Sequence, residues 1–263
     1  MPNSQPIRVS TIATLSRGAT WRMELQHSYD TDMILWITRG QGRAVLQGVR
    51  RGIGTHNLIW IPAGVVLSMD LGKQGSGIAV EIPAGSGLGF PADLMHLRVR
   101  DVHAQMELTA HFDVMAREIR EARAFTDEAL RAEAMLVSVW LRRQLLVTAP
   151  DTRDTAAERL TRAYAALMGR DYHRGRSMAD MAQDLGVTPT HLSRVCKEVS
   201  GQTAADLLTE RVLHAARDRV ERTDLPFQVI AADLGFGSAA YFTRFLQTHT
   251  RMSPTALRRA ARR

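Results

Sequence analysis

The chain has 263 residues, which is enough length for two domains, each with an apolar core of its own. Apolar residues make up 45% and charged residues 23%, an ordinary globular composition that excludes a disordered or low-complexity chain. A single cysteine, Cys196, excludes an internal disulfide and favours a reducing compartment. No basic leader opens the chain, and prolines and glycines interrupt its most apolar run, residues 58–69, so we expect neither a signal peptide nor a membrane span.

The net charge of +7 is distributed unevenly. Residues 1–151 carry 16 basic against 15 acidic side chains, a net of +1, whereas residues 152–263 carry 18 against 12, a net of +6. A basic excess in one part of a chain favours a polyanionic partner such as nucleic acid, although a solvated basic surface has the same composition.

Short apolar runs separated by glycine-rich breaks occupy residues 20–82, the pattern of antiparallel strands in a small barrel or sandwich. The expected strands are 20–28, 33–38, 43–47, 58–61, 65–71 and 77–82. Alternation along the first of them places one set of side chains in the interior, namely Trp21, Met23, Leu25, His27 and Tyr29.

A helical pattern begins near residue 105 and predicts two helices, 105–123 and 126–148. The second helix carries an apolar stripe formed by Leu130, Val137, Leu141 and Leu145. Two explanations fit this stripe: it forms the seam of a homodimer, or it is covered within one monomer. The polar stretch 149–155 is the predicted linker to the last part of the chain.

Four helix starts are marked in the remaining sequence. Ser177 with Asp180 and Thr203 with Asp206 have the spacing in which a side-chain oxygen accepts an early backbone N–H. Two further cap residues, Thr188 and Ser253, each precede a proline, which needs no hydrogen-bond partner at the first helical position.

An internal repeat lies within this helical region. Residues 181–187 (MAQDLGV) recur as 230–236 (IAADLGF), and Leu192-Ser193-Arg194 recurs as Phe242-Thr243-Arg244. Each copy has a short helix, a glycine turn and a second capped helix, which is the layout of a helix-turn-helix. A helix over 203–223 would separate the copies by about 30 Å, close to the roughly 34 Å repeat of duplex DNA. The two second helices are therefore expected in successive major grooves, and a helical core repeat without DNA contact is the alternative.

Along residues 178–259 the chain resembles the AraC/XylS family of bacterial transcription regulators. The residues that carry the resemblance are His191-Leu192-Ser193-Arg194, Gly201, Arg211, Ala215, Ile230-Ala231, Gly235-Phe236, Tyr241-Phe242-Thr243-Arg244-Phe245 and Ser253-Pro254. The chain departs from the family pattern at Cys196, at residues 246–248 and at Arg251. Since Arg251 replaces a frequent glycine, we expect an altered turn after the second recognition helix.

The resemblance implies a set of DNA contacts. Base-reading positions are Thr190, Ser193 and Arg194 in the first copy and Ala239, Ala240, Thr243 and Arg244 in the second. Arginine bonds guanine through two atoms, whereas alanine only touches thymine methyls, so the first helix should carry more sequence information. Lys197 and Ser238 are expected at phosphates. Pairing with nearby acids is the alternative role for the arginines.

The first part of the chain is similar to the cupin-like effector domain of many such regulators, through Gly40-Gln41-Gly42 and residues 57–64. Tyr29 and Leu67 stand where metal-binding cupins place histidines, so we expect no metal, no cofactor and no metal-dependent catalysis. A small-molecule effector would contact His27, Tyr29, Trp36, Trp60 and Leu67, for which plain core packing is the alternative.

The sequence thus predicts an α+β protein with three parts: a cupin-like antiparallel β-barrel (1–102), a helical connector with possible dimer helices (103–150) and an all-α domain with two helix-turn-helix motifs (151–263). Its expected function is that of a cytoplasmic transcription regulator controlled by an effector. The expected partners are double-stranded promoter DNA, RNA polymerase if the protein is an activator, and a second copy of the chain. Two alternatives remain: a constitutive DNA binder whose barrel only dimerises, and a cupin enzyme fused to a DNA reader.

Overall fold

A computed structural model of the chain describes residues 6–147 and 154–262. Strands dominate the first half, and they are β1 (Arg8–Thr11), β2 (Asp32–Arg39), β3 (Gln41–Leu46), β4 (Val49–Gly54), β5 (Asn57–Ile61), β6 (Leu67–Asp70), β7 (Ser76–Ile82) and β8 (Met95–Arg98). Two short helices, α1 (Ile12–Ser16) and α2 (Trp21–Glu24), lie between β1 and β2. Five of the six expected strands are confirmed, with boundaries shifted by up to two residues.

The strands form two antiparallel sheets, in the orders β1-β7-β2-β5-β8 and β4-β3-β6. Strand β2 is buried on both faces because its side chains alternate between two cores. Met33, Leu35 and Ile37 face the three-stranded sheet, whereas Ile34 and Trp36 face the helices that follow. The larger sheet is therefore the middle layer of the first half.

The expected α+β class is confirmed, and of the two arrangements expected for the strands, barrel or sandwich, they form an open sandwich of two sheets. Within the described residues no ladder joins the two sheets. Both edge strands of the larger sheet, β1 and β8, are only four residues long, and helices follow or cover them, so pairing does not continue around the sheet.

The expected strand 20–28 is wrong, because Trp21–Glu24 is the helix α2. Its apolar alternation is real, but tertiary contacts of Trp21 and Arg22 with the second half of the chain outweigh a short local pattern. Strands β1, β4 and β8 were not predicted. β4 contains two arginines and two glycines and is half exposed, so it lacks the apolar run that marked the other strands.

The two expected connector helices are confirmed as α3 (Val102–Glu121) and α4 (Thr126–Val147). Both pack on the larger sheet. Leu130, Val137 and Leu141 are buried in the core beneath them, and Leu145 packs against it. The stripe is therefore covered within the monomer, and its interpretation as a dimer seam is wrong.

Helices make up the second half: α5 (Ala156–Asp171), α6 (Met178–Asp184), α7 (Pro189–Ser200), α8 (Ala204–Arg222), α9 (Phe227–Asp233), α10 (Ala239–Thr250) and α11 (Pro254–Ala261), with a 3₁₀ turn (Tyr172–Arg174) after α5. All four predicted caps form, at Ser177, Thr188, Thr203 and Ser253. Most of the predicted linker, residues 149–153, lies outside the described residues. In the described ranges we find no helix that is both long and apolar enough to cross a membrane.

Two cores stabilise the helical half, and α8 contributes to both. Its first turns pack with α5, α6 and α7 around Tyr164, Met181 and Leu192. Its last turns pack with α9, α10 and α11 around Ile230 and Phe242. Each helix-turn-helix therefore has its own core, and one continuous helix joins them.

Candidate nucleic-acid interface and interdomain cavity

The first helix-turn-helix consists of α6 and α7. The hydroxyl of Thr188 accepts the backbone N–H of His191 at 3.2 Å, and Pro189 occupies the first helical position. Ala182 and Leu192 are fully buried where the two helices meet. These contacts fix α7 with its opposite face toward solvent.

The predicted reading residues of α7 lie on that solvent face. Thr190 and Arg194 are exposed, Ser193 is half-buried, and Lys197 is exposed further along the helix. The guanidinium of Arg194 lies 3.3 Å from His191 Nδ1 and 4.0 Å from a Glu198 oxygen. Because the Arg194 side chain is 67% exposed, this internal pair is worth little, and the guanidinium can reach outward at small cost.

The second helix-turn-helix, α9 and α10, repeats this arrangement. Ser238 caps α10, its hydroxyl accepting the N–H of Tyr241 at 3.1 Å. Ala240 and Arg244 are exposed, and Ala239 and Thr243 are half-buried. Within the described ranges Arg244 forms no ion pair, so the internal pairing considered for it is not made there.

Helix α8 spans the distance between the two readers. Its 19 residues correspond to about 28 Å, close to the roughly 34 Å repeat of DNA. Asp184 and Asp233 occupy equivalent positions in the two motifs, and each forms an ion pair with an arginine from outside its motif. Arg176 lies 2.7 Å from Asp184, and Arg219 lies 3.0 Å from Asp233.

Two departures from the family pattern have simple structural roles. Cys196 is fully buried, and burial raises the pKa of its thiol to about 11, so it behaves as a core residue. Arg251 adopts the left-handed conformation (φ 59°), and its N–H bonds the Gln247 carbonyl at 2.9 Å. Gly201 ends α7 with the same kind of cap, so the altered turn expected at Arg251 is wrong.

Comparison with known proteins identifies the helical half. A helix-turn-helix domain family matches residues 181–260. The chain is 32% identical over 157 residues to the HTH-type transcriptional regulator GlxA of Rhizobium meliloti (strain 1021), covering 57% of this chain and 47% of GlxA. It is 30% identical over 84 residues to the probable transcription factor PqrA of Proteus vulgaris, covering 32% of this chain and 69% of PqrA. The chain thus spans about half the length of GlxA and about two thirds of PqrA.

The chain belongs to the AraC/XylS family.

Solved structures to which the chain is similar include ToxT from Vibrio cholerae strain SCE256 with an unsaturated fatty acid bound, at 14% identity and a TM-score of 0.41, covering 97% of this chain and 95% of ToxT. An AraC-type regulator from Chromobacterium violaceum is 22% identical with a TM-score of 0.36, covering 41% of this chain and 96% of that protein.

The two halves of this AraC/XylS regulator are in direct contact. The guanidinium of Arg22 on α2 bonds Asp218 at 2.7 Å and Glu221 at 2.9 Å, both on α8. The Trp21 ring lies edge-on to His214 and 4.2 Å from the guanidinium of Arg217. The Arg22 bonds join residues 196 and 199 positions apart, and no sequence spacing marks them.

A second contact region joins the three-stranded sheet to α5. Val66 inserts into the core of the first helix-turn-helix, and the guanidinium of Arg51 bonds Glu158 at 3.1 Å. Gly48 approaches Thr161 so closely that a Cβ on it would lie 2.7 Å from the threonine methyl. The first half of the regulator is thus attached at both α5 and α8.

Two imidazoles stack across the α8 contact, those of His27 and His214, with ring centroids 5.0 Å apart. His27 Nδ1–H donates to the Leu25 carbonyl at 2.8 Å, which leaves Nε2 to accept the Tyr29 hydroxyl at 3.1 Å. Burial lowers the pKa of His27 to about 4 and that of His214 to about 2, and the neighbouring Arg211 adds to both shifts. Both rings are therefore neutral near pH 7.

A cavity of about 1020 Å³ opens beside this stack, between the two halves. The first half contributes β1, the turn before β2 and the α3–α4 connection, and α8 closes the other side. Polar side chains around it include Arg8, Ser10, Tyr29, Arg123, His214 and Arg222. Ser10 Oγ is buried and has no hydrogen-bond partner among the described residues.

The five residues expected at an effector do not share one pocket. His27 and Tyr29 line the interdomain cavity. Trp36 and Trp60 lie in the core between the larger sheet and α3–α4, where the Trp60 indole N–H bonds the Pro91 carbonyl at 2.8 Å. Leu67 lies in the core of the sandwich. The structure brings together two of the five and adds residues of α8 that sequence reasoning missed.

Proposed function

We propose that this chain binds a bipartite promoter site, with α7 and α10 in successive major grooves. The observation that carries the proposal is the duplication of an exposed, capped recognition helix at the two ends of α8. Thr190, Ser193 and Arg194 would read bases in one half-site, and Ala239, Ala240, Thr243 and Arg244 in the other. Lys197 and Ser238 would contact phosphates, Ser238 through its O–H because its oxygen already caps α10.

Selection of duplexes from a random library with the full chain tests this proposal, followed by binding titrations at several salt concentrations. About six phosphate contacts give a slope of log affinity against log salt near −5. Arg194→Ala and Arg244→Ala should each weaken the selected duplex about fivefold or more. No enrichment of any sequence, or a flat salt response, contradicts the proposal.

We further propose that a small-molecule effector binds in the interdomain cavity rather than inside the sheet sandwich. Residues of both halves line it, so a ligand there changes how α2 and α8 meet. A ligand that binds only the native state stabilises it by about 2.7 kcal/mol at one hundred times its Kd. Thermal-shift screening of metabolites against the full chain and His214→Gln tests this site. A hit that stabilises both proteins equally contradicts the assignment, and a screen without hits favours constitutive DNA binding.

We propose that the first half of the chain regulates transcription and does not catalyse a reaction. Support comes from His27, whose two ring nitrogens are both occupied, one by the Leu25 carbonyl and one by the Tyr29 hydroxyl. A ligating imidazole needs one nitrogen free for the metal. Elemental analysis of purified protein beside His27→Ala checks this: stoichiometric metal that is lost in the variant contradicts it.

The remaining parts of the proposal follow from promoter binding. The chain would act in the cytoplasm, with RNA polymerase as a partner if it activates transcription. The proposed division of the chain is 1–102 as the sensor, 103–150 as the connector and 151–263 as the DNA-binding domain.

A second copy is the proposed occupant of the outer face of α3 and α4. Val102 and Met106, one turn apart on α3, are more than 60% exposed. Leu136 and Val147, three turns apart on α4, are exposed as well. Sedimentation of the full chain should show a dimer that Met106→Lys with Leu136→Lys dissociates. An unchanged sedimentation coefficient in that variant contradicts this interface.

A further inference from the structure

Two glycines bring the segment that precedes the first helix-turn-helix into backbone contact with the turn of the second. Gly235 lies in the turn between α9 and α10, and Gly175 follows the 3₁₀ turn that leads into α6. A Cβ on Gly235 would lie 2.2 Å from Gly175 N, and a Cβ on Gly175 would lie 2.5 Å from the Gly235 carbonyl oxygen. No side chain fits at either position unless the backbone moves. We call this contact the glycine seam.

The equivalent turn of the first motif has no such close backbone contact, so a helix-turn-helix does not require one. Gly186 is the equivalent of Gly235 and has nearly the same backbone angle, φ 68° against 73°. Nothing lies within 4 Å of a Cβ built on Gly186. The crowding at Gly235 therefore comes from the neighbouring segment and not from the turn.

Side chains near the glycine seam also attach residues 172–175 to the second motif and to α8. Tyr172, three residues before Gly175, packs against the core of the second motif. The guanidinium of Arg211 on α8 lies 3.6 Å from the centre of the Tyr172 ring. Arg211 also bonds the Ser28 hydroxyl at 3.2 Å, which links the seam to the first half of the chain.

We propose that the glycine seam sets the angle between the two recognition helices, with Gly175 and Gly235 as positioning residues. Helix α8 alone would join the motifs through a single connection, about which the second motif could turn. Contact at residues 172–175 adds a second point of attachment and removes that freedom. Orientation fixed before binding lowers the ordering cost when both helices enter one DNA site. The consequence for DNA rests on the proposed bipartite reading.

Distance measurement between spin labels tests the seam without DNA. The labels are placed at Glu198→Cys on α7 and Thr248→Cys on α10, both exposed positions. The native Cys196 is buried, and the unsubstituted chain serves as the labelling blank. We expect one narrow distance distribution in the parent. Gly235→Ala should shift it or broaden it at least twofold.

Two matched variants separate the seam from general effects of an added methyl. Gly186→Ala carries the same left-handed strain without a clash, and Gly237→Ala, in the same turn as Gly235, has open space around its Cβ. Both should keep the parent's distribution. If Gly235→Ala does not fold by circular dichroism, Gly175→Ala carries the same expectation. A folded seam variant with the parent's distribution overturns the proposal.

Binding to the duplex selected by the full chain gives the functional readout. Inserting two base pairs between the half-sites should weaken the parent at least tenfold, and Gly235→Ala should reduce this penalty at least threefold. Gly186→Ala should keep the penalty. If the parent selects no bipartite duplex, the proposed function fails while the distance result still decides the seam. An unchanged spacing penalty in Gly235→Ala overturns the seam's role in recognition.

Discussion

Arg194 and Lys197 lie on the same helix, and their side chains differ in what they can distinguish. An arginine fork matches the two acceptors of guanine, whereas a lysine ammonium is a point charge suited to any phosphate. The capped N-terminus of α7 holds Arg194 on the solvent face, where its internal contacts are the 3.3 Å one with His191 and the 4.0 Å one with Glu198.

Arg194→Ala should therefore cost about 1 to 3 kcal/mol at a selected site and relax the preference at one base pair. Lys197→Ala should weaken all duplexes by a similar factor. Titrations against the selected duplex, single-base variants and a random duplex check both effects. An equal loss of specific and random affinity in Arg194→Ala would show that it does not read a base.

The neutral His27–His214 stack makes stability depend on pH. Below about pH 6.5 the unfolded chain protonates both rings, whereas the folded pKa values are about 4 and about 2. Their contribution to stability is therefore present above pH 6.5 and is lost as the pH falls. Burial raises the pKa values of Glu210 and Glu221, which act in the opposite sense, so the comparison between variants is decisive.

Between pH 7 and pH 5 the parent should lose about 1 to 2 kcal/mol more unfolding free energy than His214→Gln, whose amide can still donate to the Arg22 carbonyl. Urea unfolding at the two pH values measures this difference. His173→Gln, at an exposed position, is the control and should follow the parent. Identical losses in the parent and His214→Gln would contradict the prediction.

Each recognition helix begins and ends at residues that satisfy the free backbone groups of its ends. Thr188 and Ser238 accept the first free N–H groups, and a left-handed residue closes each C-terminus. At their C-termini the two helices differ in that closing residue. Gly201 takes the left-handed conformation without strain, whereas Arg251 takes it against the steric preference of its Cβ.

Arg251→Gly should raise the unfolding free energy by about 0.5 to 1 kcal/mol. This value is the strain that glycine relieves minus the stability lost to the greater conformational freedom of glycine in the unfolded chain. Gly201→Ala should lower the unfolding free energy, because the left-handed conformation strains an alanine. The new Cβ would meet only an Arg50 side-chain atom, at 3.5 Å, so this strain is the main effect. Urea unfolding of both variants measures the pair. Destabilisation by Arg251→Gly would mean that the arginine side chain stabilises the turn by more than its strain.

Helix α8 has two functions, and different residues of the helix serve them. One part of its surface completes the cores of both DNA readers, and another accepts α2 through Asp218 and Glu221. Any rearrangement of α2 therefore acts on the helix that separates the readers. This is the physical route by which a ligand in the interdomain cavity would alter DNA occupancy.

Removing the central cation of this contact should weaken the attachment of the two halves. Arg22→Met leaves Asp218 and Glu221 without their shared partner and should cost roughly 2 kcal/mol, since the Arg22 side chain is only 12% exposed. Faster hydrogen exchange of α8 amides should accompany the loss. Arg222→Met, which removes a more exposed neighbour, should change stability by less than about 0.5 kcal/mol. Equal effects of the two variants would refute a specific role for Arg22.

The sequence was sufficient to predict the helical half and most of the sheets. Its signals there are local: cap residues, glycine turns and apolar periodicity act over a few positions, and the duplication shows the same signals twice. The reading positions on α7 and α10 came from the family resemblance and stay predictions about DNA. The strand pattern likewise identified five of the strands, because β2 and β5 contain continuous apolar runs and β7 is apolar over residues 77–80.

The features that join distant parts of the chain follow from tertiary packing. Trp21–Glu24 is a helix because its side chains dock on α8, and the Leu130–Leu145 stripe is covered because the larger sheet presents a second apolar face. The interdomain cavity, the histidine stack and the glycine seam each need residues that are far apart in sequence. Such contacts depend on how whole elements pack, and no local pattern of residue types encodes them.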